Sequence, residues 1–203
     1  MSKGFSIVLL GLDGSGKTTL SKLLKKELEK EYSVKIIPFH KWVFSNKLKY
    51  FFGRRIDKSR LDMNKPYEPI KSSLSSLIKP IIAYIDNVCF FLINRPLNNQ
   101  VVIFDRFICA TQIKFNSLGY QNTWFRLFWR VFMPKNTFYI DINADLSVLR
   151  QNGRGDKFVY KKSTLSEERK NYIYLAKTLG FPIINGKKSA KINAIKILKI
   201  INK

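Results

Sequence analysis

Acidic residues are scarce in this chain of 203 residues: 14 Asp and Glu stand against 37 Lys and Arg, for a formal charge of +23. That imbalance argues against a cationic partner and for an anionic one, whether phosphate, nucleic acid or an acidic membrane surface. A compositional origin carries similar weight, because Lys, Asn, Ile, Phe and Tyr abound together, as an AT-rich genome produces. Histidine occurs once, as His40, which excludes a His-rich zinc site and leaves a serine-type triad that single residue to work with. Only two cysteines are present, Cys89 and Cys109, in apolar contexts and without a CxxC partner, so both are expected to be reduced, buried thiols. Long apolar runs are missing. The most apolar stretch, Ile81 to Ile93, is broken by Asp86 and preceded by Lys79 and Pro80, and falls short of the roughly 20 residues of a spanning helix. No leader pattern precedes the first strand, and a cytoplasmic, non-membrane protein is expected. Repeats and low-complexity tracts are absent, and 45% hydrophobic residues suffice for a core, which excludes disorder and disulfide-scaffold classes.

What is present is an alternation of short apolar runs and amphipathic segments. Phe5 to Leu10 reads as a buried strand, residues 17–31 as a helix with Leu20, Leu23, Leu24 and Leu28 on one face, and Val34 to Phe39 as a second strand. This is the start of a parallel α/β sheet. Residues 41–66 interleave Lys and Arg, including Arg54 and Arg55, with aromatics at no clear period and read as an insertion. A helical stretch over 68–95 closes at Arg95-Pro96. Val101 to Phe104 is a third strand, ending in Asp105-Arg106. Aromatic-rich helices over 107–133 supply core, Thr137 to Ile142 is a fourth strand, and a short helix from Asp145 leads into a glycine-bearing loop ending at Asp156. A helix over 164–179 is predicted with Ser163 or Thr164 as its cap and Glu167 or Glu168 near the first turn. A fifth strand over Phe181–Ile184 and a Lys-rich helix over 188–202, with Ile192, Ile195 and Leu198 on its apolar face, complete the chain.

Gly11-Leu12-Asp13-Gly14-Ser15-Gly16-Lys17-Thr18 matches GxxxxGK[ST] in full, between a buried strand and an amphipathic helix. Glycines allow a tight turn whose backbone N–H groups form an anion nest at a helix N-terminus. Lys17 then reaches β/γ-phosphates and the Thr18 hydroxyl ligates Mg²⁺. Gly11, Asp13, Gly14, Ser15, Gly16, Lys17, Thr18 and Thr19 are the candidate ATP-binding residues. Asp105-Arg106 ends a buried strand on the edge where open α/β sheets bind ligands. Asp105 there can hold Mg²⁺ or orient the attacking oxygen, and Arg106 can clamp a phosphate with its fork. Arg150 and Arg154 lie four apart at the glycine loop, placed to deliver charge where a transferred phosphoryl group develops it.

These blocks resemble the thymidylate kinase family of P-loop nucleoside monophosphate kinases. The residues that carry the likeness are Gly11 to Thr19, Arg95-Pro96, Val102-Ile-Phe-Asp-Arg-Phe107, and Phe138-Tyr-Ile-Asp-Ile142 leading to Arg150-Gln-Asn-Gly-Arg-Gly-Asp156. The resemblance implies one α/β domain over 1–203, a three-layer P-loop NTPase fold. Its parallel sheet has five strands with helices on both faces, an acceptor-binding insertion at about 40–100 and a lid at about 150–163. It implies MgATP as donor, dTMP as the default acceptor giving dTDP, and a homodimer through central helices, with Ile81–Ile93 as seam. It places Asp13 near the acceptor sugar. Ser15 stands where some members carry an arginine, which makes this the type whose arginines, here Arg150 and Arg154, come from the lid. The acceptor half departs from the family: Pro38-Phe39-His40-Lys41-Trp42 replaces Glu-Pro-Gly-Gly-Thr, Asp86 falls close to the place where the family carries an arginine for the acceptor phosphate, and Ile108 to Ile113 replaces a base-reading Ser…Ala-Tyr-Gln run. Asp13, His40, Lys41, Trp42 and Arg106, with Arg54 or Arg55, are accordingly the candidates for gripping the acceptor. A kinase of another nucleotide, nucleoside or small metabolite, and a nucleic-acid-binding or end-modifying P-loop protein, are the alternatives. The Asn-Lys-x-Asp guanine signature is absent, which disfavours a regulatory switch.

Overall fold

The computed structural model describes residues 3–38, 85, 88–117, 133–155 and 160–202. His40, Lys41, Trp42, Arg54, Arg55, Asp86 and Asp156 lie outside the described residues. The described elements are β1 (Phe5–Leu10), α1 (Lys17–Leu28), β2 (Ser33–Pro38), β3 (Gln100–Asp105), α2 (Ile108–Ser117), β4 (Asn136–Asp141), α3 (Ala144–Gly153), α4 (Lys162–Leu179), β5 (Ile183–Asn185) and α5 (Ala190–Ile201). Residues 88–93 are also helical, and the turn ends before Arg95-Pro96.

The five strands are parallel in the order β2-β3-β1-β4-β5. β1 occupies the centre because it has no face to spare for water: Ile7, Val8, Leu9 and Leu10 are at most 1% exposed. Alternation sends Val8 and Leu10 to one side, into a cluster with Phe104, Tyr139, Leu165 and Tyr172. Ile7 and Leu9 go to the other, with Leu20 and Leu24 of α1 and Ala194 and Ile197 of α5. Helices therefore cover both faces, as expected for the three-layer class. The chain leaves β1 toward β2 and β3 on one side and reaches β4 and β5 on the other. The carboxyl ends of β1, β3 and β4 thus flank a switch-point crevice, the place where such sheets bind ligands.

Four local expectations are corrected. α4 begins earlier than expected, with Lys161 at its cap and no side-chain cap bond, so neither Ser163 nor Thr164 caps it. Glu168 falls past the first turn, on the buried stripe of Leu165, Tyr172 and Ala176. On α5 the buried residues are Asn193, Ala194 and Ile197, while Ile192 and Ile195 are about half exposed. The small Ala194 lets this helix lie close against α1, and Asn193 Nδ2 donates to the Asn185 carbonyl at 3.0 Å. Cys89 is exposed rather than buried. Cys109 is buried as expected, its thiol pushed up to about 12 by desolvation, which leaves it unreactive.

Candidate functional site

The β1–α1 loop is braced from outside by α3. The Ser147 hydroxyl donates to the Asp13 carbonyl at 2.7 Å, and Arg150 Nη1 donates to the Gly14 carbonyl at 3.1 Å. Two glycines make that approach possible. Gly14 has φ +76, and a Cβ there would lie 3.2 Å from the Arg150 Cβ; at Gly11 a Cβ would lie 2.6 Å from the Ile140 carbonyl oxygen of β4. Lys17 is folded into the loop, 6% exposed. Its ammonium donates to the carbonyls of Gly11 (3.1 Å) and Leu12 (2.7 Å) and to Ser15 Oγ (3.3 Å). Burial, and then the positive charge of Arg106, push Lys17 down from 10.5 to about 8, against the opposing pull of Asp13, Asp105 and Glu168.

Parallel register sets Leu9 of β1 beside Asp105 of β3, which brings the end of β3 to the first turn of α1. Thr18 Oγ1 donates to Asp105 Oδ2 at 2.6 Å. The next residue, Arg106, turns back toward the loop: its backbone N–H donates to the Leu9 carbonyl at 3.0 Å, and its Nη2 pairs with Asp13 Oδ1. The turn puts Arg106 at φ +77, a left-handed conformation that a side chain of this size adopts only where its surroundings compel it. Desolvation works against the guanidinium's charge, but Asp13, Tyr172 and Glu168 outweigh it and hold Arg106 above its ordinary value. The structure thus brings Asp13, Lys17, Thr18, Asp105 and Arg106 to one crevice.

The two arginines expected in a lid differ in their hydrogen bonds. Arg150 does not reach over the loop; it spans from the Gly14 carbonyl to the Gly186 carbonyl, which accepts from both Nη1 and Nη2 at 3.2 Å. It ties the phosphate loop to the β5–α5 turn. Arg154 follows the end of α3 and, like Arg150, lines a cavity of about 560 Å³, together with Gly14, Ser15, Thr19 and Asn193.

Some site residues escaped the sequence reading. Glu168 Oε1 lies 4.0 Å from Arg106 Nη1, behind the face that meets Asp13. Its position three residues after Leu165 and four before Tyr172 was the available sign that it points inward. Asp141, at the end of β4, accepts a two-pronged bond from Arg169 Nε and Nη2, each at 2.8 Å, and a third from the Tyr139 hydroxyl at 2.9 Å. The Arg169 bonds hold the Asp141 carboxyl below the usual carboxylate range, although desolvation opposes them. Tyr139 stacks on Tyr172 with ring centroids 5.3 Å apart.

Chemically, the crevice offers a buried cation in a glycine loop, a hydroxyl and a carboxylate in contact as hard oxygen donors, and an arginine fork facing both. A family model described as the KAP family P-loop domain matches residues 1–52. The chain is 32% identical over 189 residues to a probable thymidylate kinase of Sulfolobus acidocaldarius, covering 91% of this chain and 90% of that one. It is 25% identical over 189 residues to a thymidylate kinase of Mycoplasma mobile, covering 86% and 81%. Among solved structures, a deoxyadenosine kinase from M. mycoides with bound dATP superposes with a TM-score of 0.63 at 17% identity, over 98% of this chain and all of that one. A thymidylate kinase from Ehrlichia chaffeensis does so with 0.60 at 18%, over 98% and 99%. These structural likenesses establish the fold. Identity of 32% maintained over nine-tenths of both chains goes further, and the chain belongs to the thymidylate kinase family.

Proposed function

We propose that the protein is a nucleoside monophosphate kinase that moves the γ-phosphoryl group of ATP to dTMP, giving dTDP. The observation that carries this reading is the meeting of the Asp105-Arg106 pair with the phosphate loop, Asp105 at Thr18 and Arg106 at Asp13. ATP and Mg²⁺ fit the residues present. Thr18 and Asp105 would hold Mg²⁺, since their oxygens already lie 2.6 Å apart and are of the hard type that ion prefers. Lys17 and the loop amides would hold the polyphosphate, and the cavity beside Arg154 and Asn193 would take the nucleoside end. When bound, Mg²⁺ neutralises charge on the phosphate oxygens. Lys17 exchanges its carbonyl partners for phosphate oxygens. Arg106 exchanges Asp13 for the acceptor phosphate, which frees the Asp13 carboxylate to accept a hydrogen bond from the acceptor sugar. Arg154 adds charge from the lid side, and Arg150 keeps the loop in place. Little covalent chemistry falls to the protein; it positions groups and stabilises charge.

On this reading residues 1–203 form one domain, with an acceptor region at about 40–100, where His40, Lys41 and Trp42 meet the acceptor, and a lid at about 150–163. A homodimer seam fits Ile85, Leu92 and Ile93, exposed by 56%, 46% and 68%. Sedimentation equilibrium is expected to give twice the monomer mass, and to give the monomer mass for a Leu92→Glu, Ile93→Glu double variant. Among the described residues no helix is long and apolar enough to cross a membrane, and we place the enzyme in the cytoplasm.

The reading is tested with γ-labelled ATP and a panel of deoxynucleosides and their monophosphates. Label is expected in dTDP, ahead of other diphosphates and of every monophosphate product. Label appearing first in a deoxynucleoside monophosphate would move the enzyme to the nucleoside kinases. A pH dependence follows from Lys17. Below pH 8 its ammonium is charged in the free enzyme; above pH 8 it is increasingly neutral, and phosphate binding recharges it. Affinity for ATP is therefore expected to fall as pH rises above 8, with uptake approaching one proton at pH 9. Calorimetry in two buffers of different ionisation enthalpy measures this, and no proton uptake at pH 9 would contradict it.

A further inference from the structure

Helix α4 buries Glu168 completely, at 0% exposure. A carboxylate so placed does not meet solvent, and a nearby cation offsets the cost of burying it. Arg106 is that cation: Nη1 lies 4.0 Å from Glu168 Oε1 while Nη2 of the same guanidinium holds Asp13. One planar fork thus bridges the phosphate loop and α4. The backbone beneath it is at φ +77, so the direction of the side chain has to be imposed by its partners. One of those partners, Asp13, is given up when an acceptor binds. The other is not, because α4 is itself pinned to the sheet: Arg169, the residue after Glu168, forks onto Asp141 at the end of β4 at 2.8 Å and 2.8 Å. Stacking of Tyr172 on Tyr139, one helical turn further, adds a second tie between α4 and β4.

We propose that Glu168 is a positioning residue for Arg106: it holds the far edge of the guanidinium, so that the near edge stays aimed at the acceptor phosphate after Asp13 lets go. The inference rests on the phosphoryl-transfer reading above for its kinetic consequence, but not for its structural one. Glu168 meets the acceptor side of the crevice through Arg106, so its loss weakens the use of the acceptor more than it weakens ATP binding. A buried acid with a purely structural role would change stability and spare this selectivity.

The test uses the full chain carrying Glu168→Gln or Glu168→Asp. Two readouts are taken: the Arg106 Nε–H resonance, assigned by its disappearance in Arg106→Lys, and steady-state kinetics with ATP and dTMP. In the parent the resonance is expected to be sharp and slow to exchange with solvent; in Glu168→Gln it broadens or exchanges at least tenfold faster. The acceptor kcat/KM is expected to fall roughly 10- to 100-fold, as loss of an orienting outer partner commonly produces, with KM for ATP within twofold. Glu168→Asp, which keeps the charge one bond further back, should fall between. An unchanged Arg106 resonance together with an acceptor kcat/KM within twofold of the parent overturns the proposal. If Glu168→Gln does not fold, Glu168→Asp decides by the same criteria. If the parent phosphorylates no nucleoside monophosphate, the activity reading fails, and the resonance alone decides on Glu168.

Discussion

Lys17→Met is expected to abolish phosphoryl transfer, by roughly 10³-fold in kcat/KM, without lowering the melting temperature at pH 7. The catalytic half of this expectation is electrostatic: a single preorganised group aimed at developing charge is worth about 10²- to 10³-fold, and Lys17 also contributes to binding the phosphates. The stability half comes from the cost of keeping a buried ammonium in the empty enzyme. Its value in the folded chain, about 8, lies below the 10.5 of an exposed lysine. Between those values the unfolded chain binds the extra proton, so stability rises with pH through that window and the penalty is complete below pH 8. A shift of that size corresponds to at most about 3 kcal/mol. Methionine, similar in length and uncharged, escapes this penalty but forfeits the bonds to Gly11, Leu12 and Ser15. Any stability advantage of Lys17→Met should therefore be largest at pH 7 and shrink by pH 10, which denaturation at the two pH values measures. A variant that transfers phosphate at near-normal rates, or that is destabilised far more at pH 7 than at pH 10, would contradict it.

Arg106→Ala is expected to cost roughly 10³-fold or more in acceptor kcat/KM, the scale on which arginines act in phosphoryl transfer. It also removes the guanidinium beside buried Glu168, and breaking a buried ion pair typically costs about 3–5 kcal/mol. Arg106→Lys restores charge but not the fork, and one ammonium cannot serve Asp13 and Glu168 as Nη2 and Nη1 do. It is therefore expected to recover stability better than activity, remaining at least tenfold below the parent. Arg106→Gly separates the backbone from the side chain: glycine adopts φ +77 without strain, so this variant should be more stable than Arg106→Ala and equally inactive. Thermal unfolding and steady-state kinetics on the three variants decide the matter. Equal activity of the lysine variant and the parent would show that the fork has no role.

How much of this was legible in the sequence differs by element. β1 and β3 could be read almost to the residue because both of their faces are buried, which leaves uninterrupted apolar runs such as Val101 to Phe104. The phosphate loop could be read because its glycines answer to backbone geometry, which a motif records directly. Helix faces were harder. Ile192 and Ile195 look like a core stripe, yet the neighbour α1 selects Ala194 and Ile197, and nothing local reports which side that neighbour occupies. Glu168 reads from the sequence only as an acid near the start of its helix; its charge partner, Arg106, lies 62 positions away in the chain. Spacing, the glycine loop and the family likeness point to Arg150 as a lid arginine, and only the fold reveals that two carbonyls, at Gly14 and Gly186, lie within its reach.

The central claim is that donor and acceptor phosphates meet in the crevice between the loop at Gly11 to Thr18 and Asp105-Arg106. A single molecule with adenosine at one end, thymidine at the other and five phosphates between them spans both halves of that crevice. Calorimetry is expected to show it binding at least 100-fold more tightly than ATP, with one molecule per chain and an affinity that Arg106→Ala sharply reduces. Affinity no greater than that of ATP, or unaffected by Arg106→Ala, would contradict the claim.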